Sequence, residues 1–349
     1  MQTVALLSNN GDIGGGEVML LNIAEALREL AVSVVIVGPA QPNGVVLAAR
    51  QRGFDVIGIA SRTRWEYALR LRLWARSRRN MLLWCNGLVP AFALSGLGRR
   101  IVHLHQLPLG GQRWLASLAR KGALDTLVPS HWMSHHVPGS IVFGNWVEQV
   151  KAVRPAPEDV LRIGFLGRLS SDKGIHVLAE AVQILNDEGF DCRLVVAGEP
   201  RFVSDKAARF VDQALDRIAP NVDRLGWVEP GNLFSRVDLF ACPSVWNEPF
   251  GLVAAEAMSA RVPIVASRSG ALPEVTGASA WLTTPEDAVD LARAIRRAAE
   301  SPRKRESAEE GFARWEREWS PKAGRRRTAS MMRRWELSGT DSMTRTDVS

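Results

Sequence analysis

The sequence predicts an α/β protein with two doubly wound, Rossmann-like domains facing a cleft. Short apolar runs alternate with longer amphipathic segments, as expected for parallel strands that helices cover on both faces. The alternation stops at residues 153–159, where two prolines and polar residues indicate a linker, and then restarts. The length of 349 residues also exceeds what one ordinary core holds, which favours two domains.

The first domain, predicted over residues 1–150, begins with a strand pattern at 3–8, a helical pattern at 17–30 and a second strand pattern at 32–37. The helical segment has one apolar face, formed by Leu20, Leu21, Ile23, Ala24, Leu27 and Leu30. Further apolar runs predict strands at 54–59, 81–85, 101–105, 125–128 and 140–143. Strands that alternate with helices in this way indicate a parallel sheet.

The second domain, predicted over residues 151–319, repeats this alternation. Its strand patterns lie at 161–166, 192–197, 239–242 and 263–267, and its helical patterns at 174–188, 203–218 and 251–260. Pro321 breaks a final helical stretch, and we expect a terminal helix over 320–337 to pack back on the first domain. The small polar residues at 338–349 predict a disordered tail.

Composition excludes several classes of protein. A hydrophobic fraction of 46% is ample for packed cores and excludes a largely disordered chain. No apolar run approaches the roughly 18 residues of a membrane span, and the N-terminus lacks a signal-peptide pattern. Cys85, Cys192 and Cys242 lie far apart without metal-ligand spacing. We therefore expect buried thiols in a reducing, cytoplasmic compartment.

The net charge of +7 is concentrated in the first domain. Residues 1–150 hold 15 basic and 8 acidic side chains, whereas residues 151–349 hold 29 of each. The segment 62–79 alone carries seven arginines and one acid. This asymmetry indicates an anionic partner: nucleic acid, a lipid surface or a phosphorylated substrate. Nucleic acid is the least expected, since no recognised module is present. A solvated amphipathic helix is the alternative interpretation of the segment.

We expect the ligand-binding residues in the loops after strands, because open parallel sheets bind ligands beyond the carboxyl ends of their strands. The first such loop, residues 9–17, holds Gly14, Gly15 and Gly16 before a predicted helix. Glycines allow close backbone approach, and a helix N-terminus offers N–H groups to an anion. A plain tight turn explains the glycines equally well, and the spacing is not a dinucleotide-binding fingerprint.

A second loop, residues 167–174, opens the first helix of the second domain. Its Arg168 and Lys173 lie five residues apart. Two cations at a helix N-terminus are suited to hold a diphosphate from two sides. The alternative interpretation is a solvated cationic turn.

A third stretch, residues 243–258, holds two carboxylates eight residues apart. Glu248 follows a predicted strand, and Glu256 lies on an otherwise apolar helix, where an acid needs a partner. Carboxylates accept hydrogen bonds from vicinal diols, so the hydroxyls of a sugar or ribose are suitable partners. Attraction to the helix dipole is the alternative, which explains Glu248 better than Glu256.

In their order along the chain, these motifs resemble those of the retaining nucleotide-sugar glycosyltransferases of family 4, which have the two-domain GT-B fold. The resemblance rests on Gly14-Gly15-Gly16-Glu17, Gly167-Arg168 with Lys173-Gly174, Pro243-Ser244, Glu248 with Phe250-Gly251 and Glu256, and Ser269-Gly270-Ala271-Leu272-Pro273-Glu274. It covers roughly residues 1–300 and is most specific in the second domain. The chain departs from the family pattern at Asn145-Trp146-Val147-Glu148, at Arg261 and in the turn at 278–282.

The resemblance implies roles for the matching residues of the second domain. Arg168 and Lys173 would hold the donor diphosphate and neutralise charge on the departing nucleotide. Glu248 would contact hydroxyls of the donor sugar, and Glu256 would bind the ribose diol. The backbone that reaches the phosphate or sugar would be that of Phe250, Gly251 and Leu252.

In the first domain, the resemblance implies that the loop with Gly15 and Gly16 closes over the phosphates or the acceptor. It also implies a histidine that faces the donor sugar at the end of the strand pattern 101–106, and we align His105 with that position. His103 shares the same strand face and is the alternative, although a core histidine is its simpler interpretation. A His-x-His zinc site lacks a third ligand nearby.

The resemblance therefore implies a hexosyltransferase that moves a sugar from a nucleotide-diphosphate donor to a hydroxyl acceptor with retained configuration. No Asp-x-Asp pair follows a strand, so Arg168 and Lys173 would replace a metal, and no cofactor is expected beyond the nucleotide sugar. The acceptor would be a carbohydrate, lipid-linked or small-molecule compound, with peripheral contact to an anionic membrane through 62–79 and no nucleic acid. The alternatives are a nucleotide-sugar 2-epimerase of the same fold and a non-catalytic sugar-nucleotide binder.

Overall fold

Two parallel β-sheets organise the chain in the computed structural model, which describes residues 3–78, 80–153, 159–200 and 203–343, with side chains as far as residue 335. The chain divides into two compact units. Unit 1 combines residues 1–146 with 321–349, and unit 2 comprises residues 147–320. The predicted boundary after residue 150 lies four residues beyond the observed one, because the Val147 amide already donates to the Trp319 carbonyl within unit 2, at 3.0 Å.

Unit 1 alternates strands and helices as the apolar periodicity predicts. Its strands are β1 (Thr3–Ser8), β2 (Ser33–Pro39), β3 (Asp55–Ile59), β4 (Leu82–Asn86), β5 (Arg100–His103), β6 (Asp125–Val128) and β7 (Ile141–Val142). Its helices, numbered in chain order, are α1 (Gly15–Glu29), α2 (Gly44–Gln51), α3 (Arg64–Arg76), α4 (Leu88–Ala93), α5 (Gln112–Arg120), α6 (His131–His136) and the terminal α14 (Pro321–Met343).

The sheet of unit 1 is parallel throughout, with the order β3-β2-β1-β4-β5-β6-β7. Helices α1, α2 and α14 pack on one face, and α3 to α6 pack on the other. Central strands are therefore buried on both sides, which is why β1 and β4 read as continuous apolar runs. The order changes direction between β1 and β4, and their carboxyl ends form the edge at which such sheets bind ligands.

Unit 2 has the same construction. Its strands are β8 (Leu161–Leu166), β9 (Cys192–Ala197), β10 (Val222–Gly226), β11 (Leu239–Cys242), β12 (Ile264–Ser267) and β13 (Ala280–Thr283). Its helices are α7 (Ile175–Asp187), α8 (Asp205–Asp216), α9 (Pro230–Phe234), α10 (Leu252–Ser259), α11 (Leu272–Thr276), α12 (Ala288–Glu300) and α13 (Lys304–Arg314). All strands are parallel in the order β10-β9-β8-β11-β12-β13, and the change of direction falls between β8 and β11.

Two strands escape prediction, and both lie at the edges of the second sheet. β10 contains Asp223 and Arg224, which are exposed, and β13 is four residues long and only partly buried. An edge strand such as β10 has solvent on one side and tolerates charged residues, so it lacks the apolar run that marks a central strand. The apolar pattern at 101–105 shows the opposite error, because β5 ends at His103.

The C-terminal helix α14 belongs to unit 1. Trp335 is buried against Trp84 of the sheet, with ring centroids 5.3 Å apart. Near the start of the same helix, Gly324 packs closely on Trp146, since a Cβ at Gly324 would lie 2.2 Å from the Trp146 ring. The helix continues to Met343, so residues 338–343 are helical where a disordered tail is predicted, because a packed helix propagates at low cost. Residues 344–349 and 154–158, the latter inside the predicted linker, lie outside the described residues.

None of the described helices is long and apolar enough to cross a membrane.

Candidate active site

An ion pair between Lys173 and Glu248 lies at the carboxyl edge of the second sheet. Lys173 ends a short 3-10 turn after β8, and Glu248 follows β11. Glu248 is only 7% exposed, and the same carboxylate oxygen accepts a hydrogen bond from the Ser244 hydroxyl at 2.8 Å. The Trp246 ring lies 5.7 Å from the Lys173 ammonium. A buried carboxylate with these partners holds the ammonium in one position at the sheet edge.

Arg168, the second predicted cation, is also held by a carboxylate. Its guanidinium pairs with Asp172 at 2.8 Å and reaches the Ser170 hydroxyl at 3.3 Å. Burial raises the pKa of Asp172, but hydrogen bonds from Ser170 and Arg168 outweigh that effect and leave the pKa below its ordinary value. Arg168 remains 38% exposed, so the guanidinium is oriented and still accessible to an anion.

Two glycines allow close backbone contact around the Lys173–Glu248 pair, which together with Arg168 we call the clamp. Gly174 has φ +72°, and a Cβ there would lie 1.9 Å from the Pro243 carbonyl oxygen. Gly270 has φ +56°, and a Cβ there would lie 2.2 Å from the Glu248 carbonyl oxygen. That carbonyl accepts a hydrogen bond from the Ala271 amide at 2.8 Å. The turn at 269–274 therefore supports the backbone of Glu248, a contribution that the motif itself does not reveal.

The segment Phe250, Gly251 and Leu252 presents backbone rather than side chains. Phe250 is buried and packs edge-to-face on Trp319 at 5.0 Å, so its side chain anchors the turn. Gly251 has φ +96°, and a Cβ would lie 2.5 Å from Leu272. Leu252 begins α10, whose first amides have no partner within the helix. Their contact with the phosphate or sugar of a donor stays a prediction.

Glu256 lies on α10, where it is half-buried, and its carboxylate has no hydrogen-bond partner among the described residues. Burial, and then the negative charge of Glu229, raise the pKa of Glu256 to about 7. A carboxylate in this situation gains from a ligand that donates hydrogen bonds, as a diol does.

The glycine loop of unit 1 is closed by Glu17. The Gly14 amide donates to one carboxylate oxygen of Glu17 and the Asn10 side chain to the other, both at 3.2 Å. Burial raises the pKa of Glu17, although these hydrogen bonds partly offset the effect. Glu17 thus has a structural role. Gly15 and Gly16 lie in the first turn of α1, where amides have no partner within the helix.

Asn86, which sequence reasoning misses, connects this loop to His105. Its side-chain amide donates to the Gly16 carbonyl at 2.9 Å, and its oxygen lies 2.7 Å from His105 Nε2. A carbonyl only accepts, so the Asn86 oxygen must face the imidazole, and His105 carries its proton on Nε2. Its position at the carboxyl end of β4 is the signal that could have identified Asn86.

His103 lies beside His105, and its protonation follows from its own hydrogen bond. The Trp84 indole donates to His103 Nδ1 at 3.4 Å, so the His103 proton is on Nε2. The two imidazole centroids lie 4.1 Å apart. Burial lowers the pKa of His105 to about 4, and burial together with the neighbouring His105 holds the pKa of His103 well below its ordinary value. Both rings are therefore neutral imidazoles at physiological pH. The described residues contain no group of three potential metal ligands around them.

The structure thus collects the predicted residues into two sets within separate units. Unit 2 holds Arg168, Lys173, Glu248, Glu256 and the backbone at 250–252, and unit 1 holds the glycine loop and His105. Each set lies where its parallel sheet changes direction.

The two-sheet architecture is that of the GT-B glycosyltransferases. The chain superposes on Anabaena HepE in complex with UDP-glucose with a TM-score of 0.82 and 21% identity, over 95% of this chain and 99% of that one. It also superposes on the sucrose-phosphate synthase of Thermosynechococcus elongatus with a TM-score of 0.80 and 17% identity, over 97% and 100% of the two chains. These likenesses establish the predicted fold.

Residues 161–301 match the family model of glycosyl transferases group 1. The chain is 32% identical over 201 residues to a D-inositol 3-phosphate glycosyltransferase of Saccharomonospora viridis, covering 53% of this chain and 44% of that protein. It is also 32% identical over 163 residues to a glycogen synthase of Mycobacterium tuberculosis, covering 45% and 37%. The chain spans less than half of these relatives. Residues 161–301 of unit 2 are thus similar to glycosyl transferases group 1, which confirms the predicted resemblance at that level, while family 4 stays a prediction.

Proposed function

We propose that this protein is a retaining, metal-independent glycosyltransferase that moves a hexose from a nucleotide-diphosphate donor to a hydroxyl acceptor. The observation that supports it most is the buried pairing of Lys173 with Glu248, beside Arg168 at the same sheet edge. Both cations are positioned by carboxylates, so they are oriented before charge develops on the departing diphosphate.

In this reaction the bond between the sugar C1 and the phosphate oxygen breaks, and a bond from C1 to the acceptor oxygen forms on the same face. The acceptor proton passes to an oxygen of the departing phosphate. Lys173 and Arg168 stabilise the negative charge of the nucleoside diphosphate, which is the task a metal ion has in other transferases. Glu248 orients the donor sugar, and Glu256 accepts hydrogen bonds from the ribose diol.

His105 acts as an uncharged imidazole in this mechanism. Its pKa of about 4 leaves it uncharged, so we assign it to orienting a sugar hydroxyl rather than to stabilising an anion. The glycine loop contacts phosphates or the acceptor through its backbone amides.

We also propose a cytoplasmic location and peripheral contact of α3 with an anionic membrane. Cys85, Cys192 and Cys242 are buried and unpaired, as is typical of proteins from reducing compartments. HepE was solved with UDP-glucose, and one relative is named for D-inositol 3-phosphate, so a nucleotide sugar and a hydroxyl compound are the partners we propose.

A thermal-shift panel of UDP-, GDP-, ADP- and dTDP-sugars in the presence of EDTA tests the proposal. A bound donor stabilises the fold by mass action, and one member should raise the melting temperature by several degrees at about 100 times its dissociation constant. The same donor should leave Lys173→Ala unshifted. Stabilisation by no nucleotide sugar, or only when a divalent metal is added, would contradict the proposal. Epimerisation of the donor without acceptor would instead indicate the 2-epimerase.

A further inference from the structure

Helix α3 carries apolar side chains on two opposite faces. The inner face packs on the sheet through Tyr67, Leu71 and Ala75. The outer stripe is offset by two residues, or about 200° around the helix, and consists of Trp65 (71% exposed), Leu69 (59%) and Leu73 (56%). One apolar face is sufficient to pack a helix on a sheet. The outer stripe is therefore available to a second surface.

Guanidinium groups surround the outer stripe. Four exposed arginines lie on or next to the helix: Arg62, Arg64, Arg70 and Arg76. The acid in this segment, Glu66, pairs with Arg70 at 2.7 Å. Arg72 donates to the carbonyls of Ala93 and Ser95, and Arg78 donates to the carbonyl of Trp74 at the end of the helix. Arg79 lies outside the described residues. The exposed surface thus combines large apolar side chains with an excess of positive charge.

The stripe begins beside the glycine loop. The Arg64 guanidinium donates to the Asn10 side chain at 3.0 Å, and Asn10 in turn donates to Glu17, which closes the loop. Trp65 is held at this end by an edge-to-face contact with Phe92, at 6.3 Å. A surface that covers the stripe therefore reaches the entrance of the predicted acceptor site.

We propose that the outer stripe of α3 docks the protein on an anionic membrane, and that the acceptor is a hydroxyl compound drawn from that membrane. Tryptophan and leucine insert at the boundary between headgroups and acyl chains, while guanidinium groups bind anionic headgroups. An anionic bilayer satisfies both features of the stripe, whereas an apolar protein face satisfies only the first. The part of the proposal that concerns the acceptor rests on the proposed function.

Co-sedimentation of the full chain with vesicles tests the docking without any need for activity. Wild type should pellet with phosphatidylcholine vesicles containing 30% phosphatidylglycerol and stay in solution with phosphatidylcholine alone. Changing Trp65, Leu69 and Leu73 to Ser should abolish binding, and changing Arg62, Arg70 and Arg76 to Ala should weaken it about tenfold or more. Arg72 is kept because its backbone contacts are structural.

Phe210→Ser with Val289→Ser is the matched control, since both side chains are nearly half exposed and lie in unit 2. This variant should bind like wild type. Wild type that stays in solution, binding retained by the Ser variant, or equal binding to neutral vesicles would each overturn the docking. A change from dimer to monomer in the Ser variant would assign the stripe to contact between two copies and would also overturn it.

The acceptor is tested with a radiolabelled donor and vesicles made from the total lipid of the source cell. Label should pass into the organic phase with wild type and fall at least tenfold with the Ser variant. Label only in water-soluble products would overturn the membrane acceptor. No transfer from any donor, combined with intact vesicle binding, would overturn the proposed function and leave the docking surface in place.

Discussion

The carboxyl edges of the two sheets differ in charge: the edge in unit 2 carries paired cations, and the edge in unit 1 carries neutral groups. In unit 2, Lys173 and Arg168 are each fixed by a carboxylate. In unit 1, the same edge carries Asn86 and the neutral His105, and the cations lie outside on α3. Yet unit 1 holds 22 basic and 10 acidic side chains, whereas unit 2 holds 22 and 27. Net charge therefore does not locate a phosphate site; the local pairing of each cation does.

The largest effect is expected from removing either partner of the buried pair. Lys173→Ala removes the ammonium that we propose binds the diphosphate, and Glu248→Ala removes the carboxylate that pairs with that ammonium. Each should lower kcat by roughly 100- to 1,000-fold, the scale for a preorganised electrostatic group. Steady-state release of nucleoside diphosphate measures the loss. Arg296→Ala removes another ion pair of unit 2, with Glu188 just beyond the end of α7, and should leave kcat unchanged.

Gly174→Ala tests whether the clamp depends on backbone contact. Its Cβ would meet the Pro243 carbonyl oxygen at 1.9 Å in a left-handed conformation. We expect a loss of about 3 kcal/mol in the free energy of unfolding, measured by chemical denaturation. Gly189→Ala is the matched control, because its φ of +76° is similar but no atom lies within 4 Å of the added Cβ. A loss of about 1 kcal/mol is expected there, and equal losses would refute the close approach.

Glu256→Gln should stabilise the protein while weakening donor binding. The pKa of about 7 means that the folded state disfavours the Glu256 carboxylate. The contribution of Glu256 to the free energy of unfolding is therefore fully present below its ordinary pKa near 4.5 and is lost as pH rises through 7. At pH 8 the amide removes this cost, and we expect a gain of roughly 1 to 3 kcal/mol. The nucleotide affinity of wild type should change with pH near 7, as Glu256 titrates. Calorimetry should show that Glu256→Gln binds the nucleotide more weakly and lacks this pH dependence. Unchanged affinity would exclude Glu256 from the site.

The smallest effect is expected in unit 1. Asn86→Leu removes the group that fixes the His105 proton on Nε2. Long-range ¹H–¹⁵N spectra of the histidines at pH 8 should show the Nε2–H tautomer in wild type and a mixture in the variant, with transfer lowered about tenfold by the misplaced ring. His136 is an internal reference, since its Nδ1 faces the Trp132 carbonyl at 2.8 Å and should keep the Nδ1–H tautomer. A proton on His105 Nδ1 in wild type would refute the derivation.

Central strands and phosphate loops are predictable because their signals are local. An apolar run such as β8 and a pair of cations in the following loop both lie within about a dozen residues. Edge strand β10 lacks that run because solvent accepts its charged residues. The helix continuing to Met343 likewise follows from packing earlier in α14, which its last residues do not encode.

Contacts between distant residues account for what the sequence could not show. Glu248 is recognisable as an acid after a strand, but its pairing with Lys173 joins residues 75 positions apart. Asn86 is recognisable as a polar residue at a strand end, but its bonds to Gly16 and His105 form only because β4 lies between β1 and β5. The arginines of 62–79 form one basic stretch in the sequence, whereas in the fold Arg72 donates to the carbonyls of Ala93 and Ser95.

The most direct test of the account is product analysis with the stabilising donor, in EDTA, using lipid and glycan extract of the source cell as the acceptor. Wild type should release the nucleoside diphosphate and form a glycoside whose anomeric proton coupling matches the configuration of the donor, and Lys173→Ala should form almost none. Inverted configuration, a requirement for metal, or equal product from Lys173→Ala would contradict the claim that the paired cations of unit 2 drive a retaining transfer.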